Sequence, residues 1–185
     1  MKDKWDIFKE VQKFGFQFVI VGKLFEDDRV DDDFMKELVS SGEDLQNCFA
    51  FIEAFDGSLS HNLESPPPGL MKMKSIGLTN PVLELDIVRN EYFQDIGQMC
   101  TILKHRIEWT KENLGIESKI FIGIRDFSEA MIKSKDKMFK LVDFLAKLPE
   151  HLIPTGFTVE EATGECLPEE IGAFTAGSLF RKYHI

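Results

Sequence analysis

"KIFIGI" (residues 119–124) is followed by "DKMFKLVDFLAKL" (136–148), and this pair decides the fold class. The first stretch has strand length and is apolar from Ile120 on, without the polar alternation of a half-exposed strand. Such a strand is buried on both faces, as in a parallel sheet. The second stretch repeats apolar residues at helical spacing. Together they form one βα unit.

The same alternation extends in both directions. Upstream, "WDIFKEVQKF" places Trp5, Phe8, Val11 and Phe14 three apart, which predicts an amphipathic helix ended by Gly15. "FQFVIV" predicts a first strand closed by Gly22, "DDFMKELVSS" a short helix, and "CFAFIEAF" a second strand. "VLELDIV", with Pro81 at its entrance, predicts a third. The helix after it spans roughly 91–113, with Tyr92, Phe93, Ile96, Met99, Cys100, Leu103 and Ile107 as its apolar stripe. Downstream, "GFTVEEA" predicts a fifth strand and "LPEEIGAFTAGSLFRKY" a last helix with proline near its first turn. Residues 57–74 are rich in proline and glycine and read as a loop inside the domain. The expectation is one α/β domain over 1–185: a parallel sheet of about five strands alternating with helices. Its closure is that of a partial (β/α)8 barrel or of an open doubly wound sheet. A complete barrel needs ~250 residues, more than the 185 present.

Composition narrows the function. The formal net charge of −10 repels phosphate backbones, so nucleic acid is not an expected partner. No apolar run approaches the ~18–20 residues of a membrane span, and "MKDKWDIFKE" has no apolar signal core. Three widely spaced cysteines argue against a disulfide framework and for a reducing, cytoplasmic setting. One of them, Cys166, stands near a proposed helix start and reads as inert. The four histidines are scattered without metal-binding spacing, and no GxSxG, GxGxxG or P-loop occurs. The acid run 26–34 lacks the glycine and terminal glutamate of an EF-hand loop. It reads as a solvated loop entering a helix, with Asp31 to Asp33 complementing the helix dipole.

In either closure, ligands bind at the C-terminal ends of the strands. Lys23 stands there after the first strand, and Glu53 and Asp56 after the second. Glu84, Asp86 and Asn90 belong to the third, Arg125 and Asp126 to the fourth, and Glu160, Glu161 and Thr163 to the fifth. Converging carboxylates suit general acid–base work or a hard cation. Glu84 and Asp86 share a face by alternation, and burying them is costly unless they are paired.

"EATGECLPEE" (161–170) resembles the D-T-x-G-x-x-x-P-E-E segment of the HMG-CoA lyase, isopropylmalate synthase and pyruvate carboxyltransferase group. These are metal-dependent (β/α)8 enzymes. Gly164, Pro168, Glu169 and Glu170 match in register, while Glu161 replaces Asp and Ala162 replaces Thr. The resemblance implies carbon–carbon bond cleavage or condensation on an acyl-CoA or 2-oxo acid, with a divalent metal (Mg, Mn or Zn). It points Glu161 into the strand-end crevice and leaves Glu160 toward the helix layer. It also implies that the chain covers strands two to six of such a barrel. The R-D-x-x-Q strand and the HxH strand that carry the family's metal ligands are then missing, and the metal ligands here are unknown. Arg125-Asp126 copies the R-D dipeptide on a later strand, so the family role does not transfer.

The sequence thus supports three expectations. One is a lyase-like domain with Arg125, Asp126 and Glu161 as catalytic candidates. Lys23, Glu53, Asp86 and Thr163 are its candidates for binding a small-molecule substrate. Another is a non-catalytic remnant acting as an oligomerising or partner-binding module, as a homo-oligomer or with a complementing segment. The third is an unrelated α/β domain with its own site at Asp86, Arg125 and Glu161.

Overall fold

The computed structural model describes residues 2–55, 65–88, 95–160, 168–169 and 171–172. Five strands make one sheet: β1 (Val19–Leu24), β2 (Cys48–Glu53), β3 (Pro81–Leu85), β4 (Phe121–Ile124) and β5 (Gly156–Val159). The helices are α1 (Lys2–Lys13), α2 (Val30–Ser40), α3 (Pro68–Ile76), α4 (Ile96–Asn113), α5 (Phe127–Lys133) and α6 (Lys135–Leu145). A short 3-10 turn, Glu150–Leu152, leads into β5.

All four strand pairings are parallel, and the order is β1-β2-β3-β4-β5. A doubly wound sheet reverses its strand order to put helices on both faces. Here nothing reverses, and right-handed crossovers then place every connecting helix on one face. The order is that of a run of consecutive βα units, as in a partial (β/α) barrel. Among the described residues the sheet is not closed, with β1 and β5 at its edges.

The core confirms which face the helices cover. Ala50, Ile52, Leu83, Leu85, Ile122 and Ile124 join Met35, Leu38, Leu70, Leu103, Ile107 and Leu141 in one buried cluster. Phe49 and Val82 are equally buried but lie on the opposite face. There Phe18, Phe49 and Phe121 pack edge to face, with ring centroids 5.0–5.6 Å apart.

The elements start and stop for local reasons. Pro68 occupies the first turn of α3, where its missing N–H costs nothing, and Gly77 ends that helix at φ 95°. The expected loop over 57–74 is therefore helical in its second part, because "GLMKMKS" holds good helix formers once Pro68 has opened the turn. Residues 57–64 lie outside the described residues. α5 is not legible in the sequence because it is only seven residues long, two turns between the strand exit and the next helix. Phe14 falls beyond the end of α1 and is 74% exposed rather than part of its apolar face. The start of the long helix expected from 91 and most of the last helix also lie outside the described residues. Residues 168–169 and 171–172 are helical.

α1 is docked largely by its side chains. Lys4 pairs with Asp31, Lys9 with Glu43, and Trp5 Nε1 donates to Glu37 Oε2 at 3.0 Å. Trp5 and Phe8 pack on Phe34. Burial pushes the Asp31 carboxyl up, but Lys4 and the Lys23 N–H together outweigh it and hold its pKa below the ordinary value. A carboxyl depressed by folding stabilises the fold above its unfolded pKa, and that contribution is lost as pH falls through the folded value. α1 is therefore expected to stay docked at neutral pH and to loosen below about pH 4. Trp5 fluorescence in a Trp109→Phe background measures this. The tether is refuted if Asp31→Asn leaves both the acid midpoint and the neutral-pH signal unchanged.

Candidate functional site

β1 does not stop at Gly22. Its pairing with β2 runs Ile20↔Phe49, then Gly22↔Ala50 and Lys23↔Phe51, so one residue is bulged between Ile20 and Gly22. Side chains alternate along a strand, and an extra residue shifts the alternation by one. Ile20 and Lys23 consequently share the face opposite the helices. The registers Phe51↔Val82↔Phe121 and Glu53↔Glu84↔Gly123↔Thr158 carry that face across the sheet. Gly123 is the low point of the second row. A Cβ there would meet Val82 Cγ1 at 3.1 Å and Thr158 Oγ1 at 3.2 Å.

At the C-terminal ends of the strands, this face holds a chain of alternating charge. Lys23 Nζ lies 2.5 Å from Glu84 Oε2 and 3.2 Å from Glu53 Oε1. Arg125 lies 4.0 Å from Glu53 Oε1 through one terminal nitrogen and 3.6 Å from Glu160 Oε2 through Nε. Each of the five strands thus supplies one charged group, from within it or just after it.

The two ends of the chain differ physically. The Glu84 side chain is 8% exposed and that of Lys23 21%. Glu84 Oε2 has the ammonium as its ion partner but no well-aligned hydrogen bond. Lys23 Nζ also lies 4.9 Å from the centre of the Phe25 ring. Arg125 is 37% exposed, and its partners Glu53 and Glu160 are 44% and 54% exposed. Its contacts are long and single rather than forked. The Lys23–Glu84 pair is built into the sheet, whereas the Arg125 guanidinium can exchange its partners.

A cleft of about 200 Å³ adjoins this chain, lined by Leu24, Phe25, Arg29, Glu53, Pro67 and Gly69, with Glu26 and Asp27 at its side. The Arg29 guanidinium carbon lies over the Phe25 ring, 3.6 Å from its centre. α3 closes the back of the cleft at Gly69, where a Cβ would come within 2.9 Å of the Leu24 carbonyl oxygen. The loop 25–29 is pinned from below. Lys72 Nζ reaches Asp32 Oδ2 at 2.8 Å, Asp28 Oδ1 at 3.1 Å and the Asp27 carbonyl oxygen at 2.9 Å. Asp32, expected on a solvated helix start, is fully buried.

Of the sequence candidates, Lys23, Glu53 and Arg125 are brought together. Asp86 and Asp126 stand at the same end of the sheet on turns. Asp86 Oδ1 accepts from the Val88 N–H at 3.2 Å, and Asp126 opens α5 in the left-handed region at φ 46°, which aspartate tolerates. Glu161 and Thr163 lie outside the described residues. Glu160 meets Arg125 and so does not face the helix layer, because the Gly123↔Thr158 register puts residues 158 and 160 on the Glu84 face. Arg29 and Lys72 went unread, since neither stands at a strand end.

The resemblance implies a divalent metal, which needs several free oxygen or nitrogen donors. Glu53 and Glu84 already face the Lys23 ammonium, and no three His, Cys, Asp or Glu side chains converge among the described residues. That set does not fit a hard cation, and no step is routed through one. Burial pushes the thiols of Cys48 and Cys100 up to about 11, the direction that disfavours the nucleophilic thiolate. No helix among the described residues is long and apolar enough to cross a membrane. No protein-family model matches the chain, and no curated protein matches it.

Proposed function

We propose that the chain is a barrel-type domain that binds a small oxo or hydroxy acid at its strand ends. Arg125 anchors the ligand carboxylate. The observation that carries this reading is the contrast within the charge chain. Arg125 is half-exposed and held by two loose carboxylate contacts, while Lys23–Glu84 is tight and buried. A ligand carboxylate offers the guanidinium a forked pair in place of those long contacts. Glu53, released from Arg125, then accepts from a ligand hydroxyl. The cleft volume suits a molecule of few heavy atoms rather than a drug-sized one.

Calorimetric titration with pyruvate, 2-oxoglutarate and malate measures this. At least one is expected to bind, and Arg125→Ala is expected to weaken it about 10–100-fold, the worth of a charge-assisted hydrogen bond. The thermal midpoint should not move, because Arg125 is partly exposed. Binding that is equal in Arg125→Ala, or absent with all three acids, would refute the proposal.

The lyase or acyltransferase activity implied by the resemblance is the catalytic extension of this reading, in a cytoplasmic setting. It requires a metal, and Mg²⁺, Mn²⁺ or Zn²⁺ bound to the native state must raise the thermal midpoint. The donor arrangement around Lys23 leads us to expect no rise.

A further inference from the structure

Away from the strand ends, Ile7, Phe14, Phe16, Phe18 and Ile20 are 64, 74, 59, 47 and 44% exposed. They lie along α1, the turn after it and the start of β1. Ile7 and Ile20 line a single groove between α1 and β1, floored by Val11 and Val19. The Phe14 and Phe16 rings lie 6.2 Å apart in the turn that joins the two elements. Phe18 stands two residues before Ile20 and rests on Phe49. Among the described residues β1 is also a sheet edge, paired with β2 alone. Its upper half is shielded, because the Lys23 N–H donates to Asp31 Oδ2 at 3.3 Å and Asp31 is tied to Lys4 of α1. Its lower half carries the exposed apolar side chains.

We infer that a second copy of this chain covers the surface, in an isologous dimer built on α1 and the lower half of β1. Two features select that occupant. The first is area. At roughly 200 Å² for each fully exposed large side chain, the five together offer on the order of 550 Å². Two copies then bury about 1,100 Å², which passes the ~1,000 Å² a specific interface needs but lies at its weak end. The second is charge. α1 carries Lys2, Lys4, Lys9 and Lys13 against Asp3, Asp6 and Glu10, a net +1 in a chain of net −10. α1 is close to neutral, and its Lys4 and Lys9 pair with Asp31 and Glu43 beside it, so two copies that meet there add little of the repulsion that a net −10 otherwise imposes. An isologous contact needs a self-complementary patch, and apolar groups facing apolar groups meet that requirement.

Sedimentation velocity on the full chain tests the dimer. The wild type is expected to pass from a 21.2 kDa monomer to a dimer as concentration rises, with a midpoint on the order of 10 μM. Phe14→Glu/Phe16→Glu changes only exposed positions. It should keep the far-UV spectrum and thermal midpoint of the wild type and weaken the dimer at least tenfold. Ile7→Glu, on the α1 side, should do the same. The inference is overturned by a wild type still monomeric at about 200 μM, by a dimer that survives both variants, or by association that runs past the dimer.

Discussion

Lys72→Met is expected to cost about 3–5 kcal/mol of stability, because it leaves a carboxylate buried without its cation. Asp32 is 0% exposed. Its Oδ2 holds Lys72 Nζ and the Arg29 N–H, and its Oδ1 is buried with no partner. Without the ammonium, one backbone N–H remains to compensate a full charge inside the fold. At roughly 2–4 °C per kcal/mol for a chain of this size, the thermal midpoint should fall by about 6–20 °C. Lys72→Met/Asp32→Leu removes both charges and should recover most of the loss, since a buried pair replaced by apolar groups is near neutral. A single variant within 1 kcal/mol of the wild type would refute the account, and so would a double variant as unstable as the single. The pH dependence has a definite sign. Burial pulls the Lys72 pKa down, but Asp32 and Asp28 outweigh it, and the net shift is upward. An amine raised by folding stabilises fully below its unfolded pKa and loses that contribution only as pH rises through the folded value, above about 10.4. The tether therefore contributes unchanged across the neutral range.

Lys23→Met is expected to act on the other buried pair. The Glu84 side chain is 8% exposed, and Lys23 Nζ is the cation beside it at 2.5 Å. Removing that cation should cost about 3 kcal/mol. Glu84→Gln in the Lys23→Met background removes the stranded charge and should restore about half of this. Lys23 also faces Glu53, which lines the cleft. The single variant should therefore weaken oxo-acid binding as well, whereas Lys72→Met should do so only through loss of folding. Chemical denaturation combined with titration separates the two effects. Loss of binding without loss of stability would show that Lys23 contacts the ligand and contributes nothing to the sheet.

Parts of the site were legible because they need only the order of elements. In a parallel α/β fold the ligand end is the C-terminal end of the strands, so Lys23, Glu53 and Arg125 are found by locating where each apolar run stops. The cost of burying Glu84 was legible for the same reason: a carboxylate inside an apolar strand demands a partner. Which of Glu160 and Glu161 faces the site was not legible. Alternation puts neighbours on opposite faces without naming either face, and the pairing of β5 with β4 supplies the name. Asp32 was misread as solvated because an acidic triple at a helix start looks the same exposed or buried. Its burial depends on Lys72, which arrives from a segment that reads as a loop.

By itself the sequence determined the class of this protein, a parallel sheet of five strands alternating with helices. Strand length and helical periodicity are local properties, written in consecutive residues. The tertiary structure decided that the strands run in consecutive order, that the sheet of the described residues is open, and that five charged groups line one face. Those outcomes depend on which strand pairs with which and in what register. The bulge between Ile20 and Gly22 shows the reason most clearly. One unpaired residue moves Lys23 onto the face of Glu84, and no local pattern in "FVIVGKL" records where the partner strand will skip it.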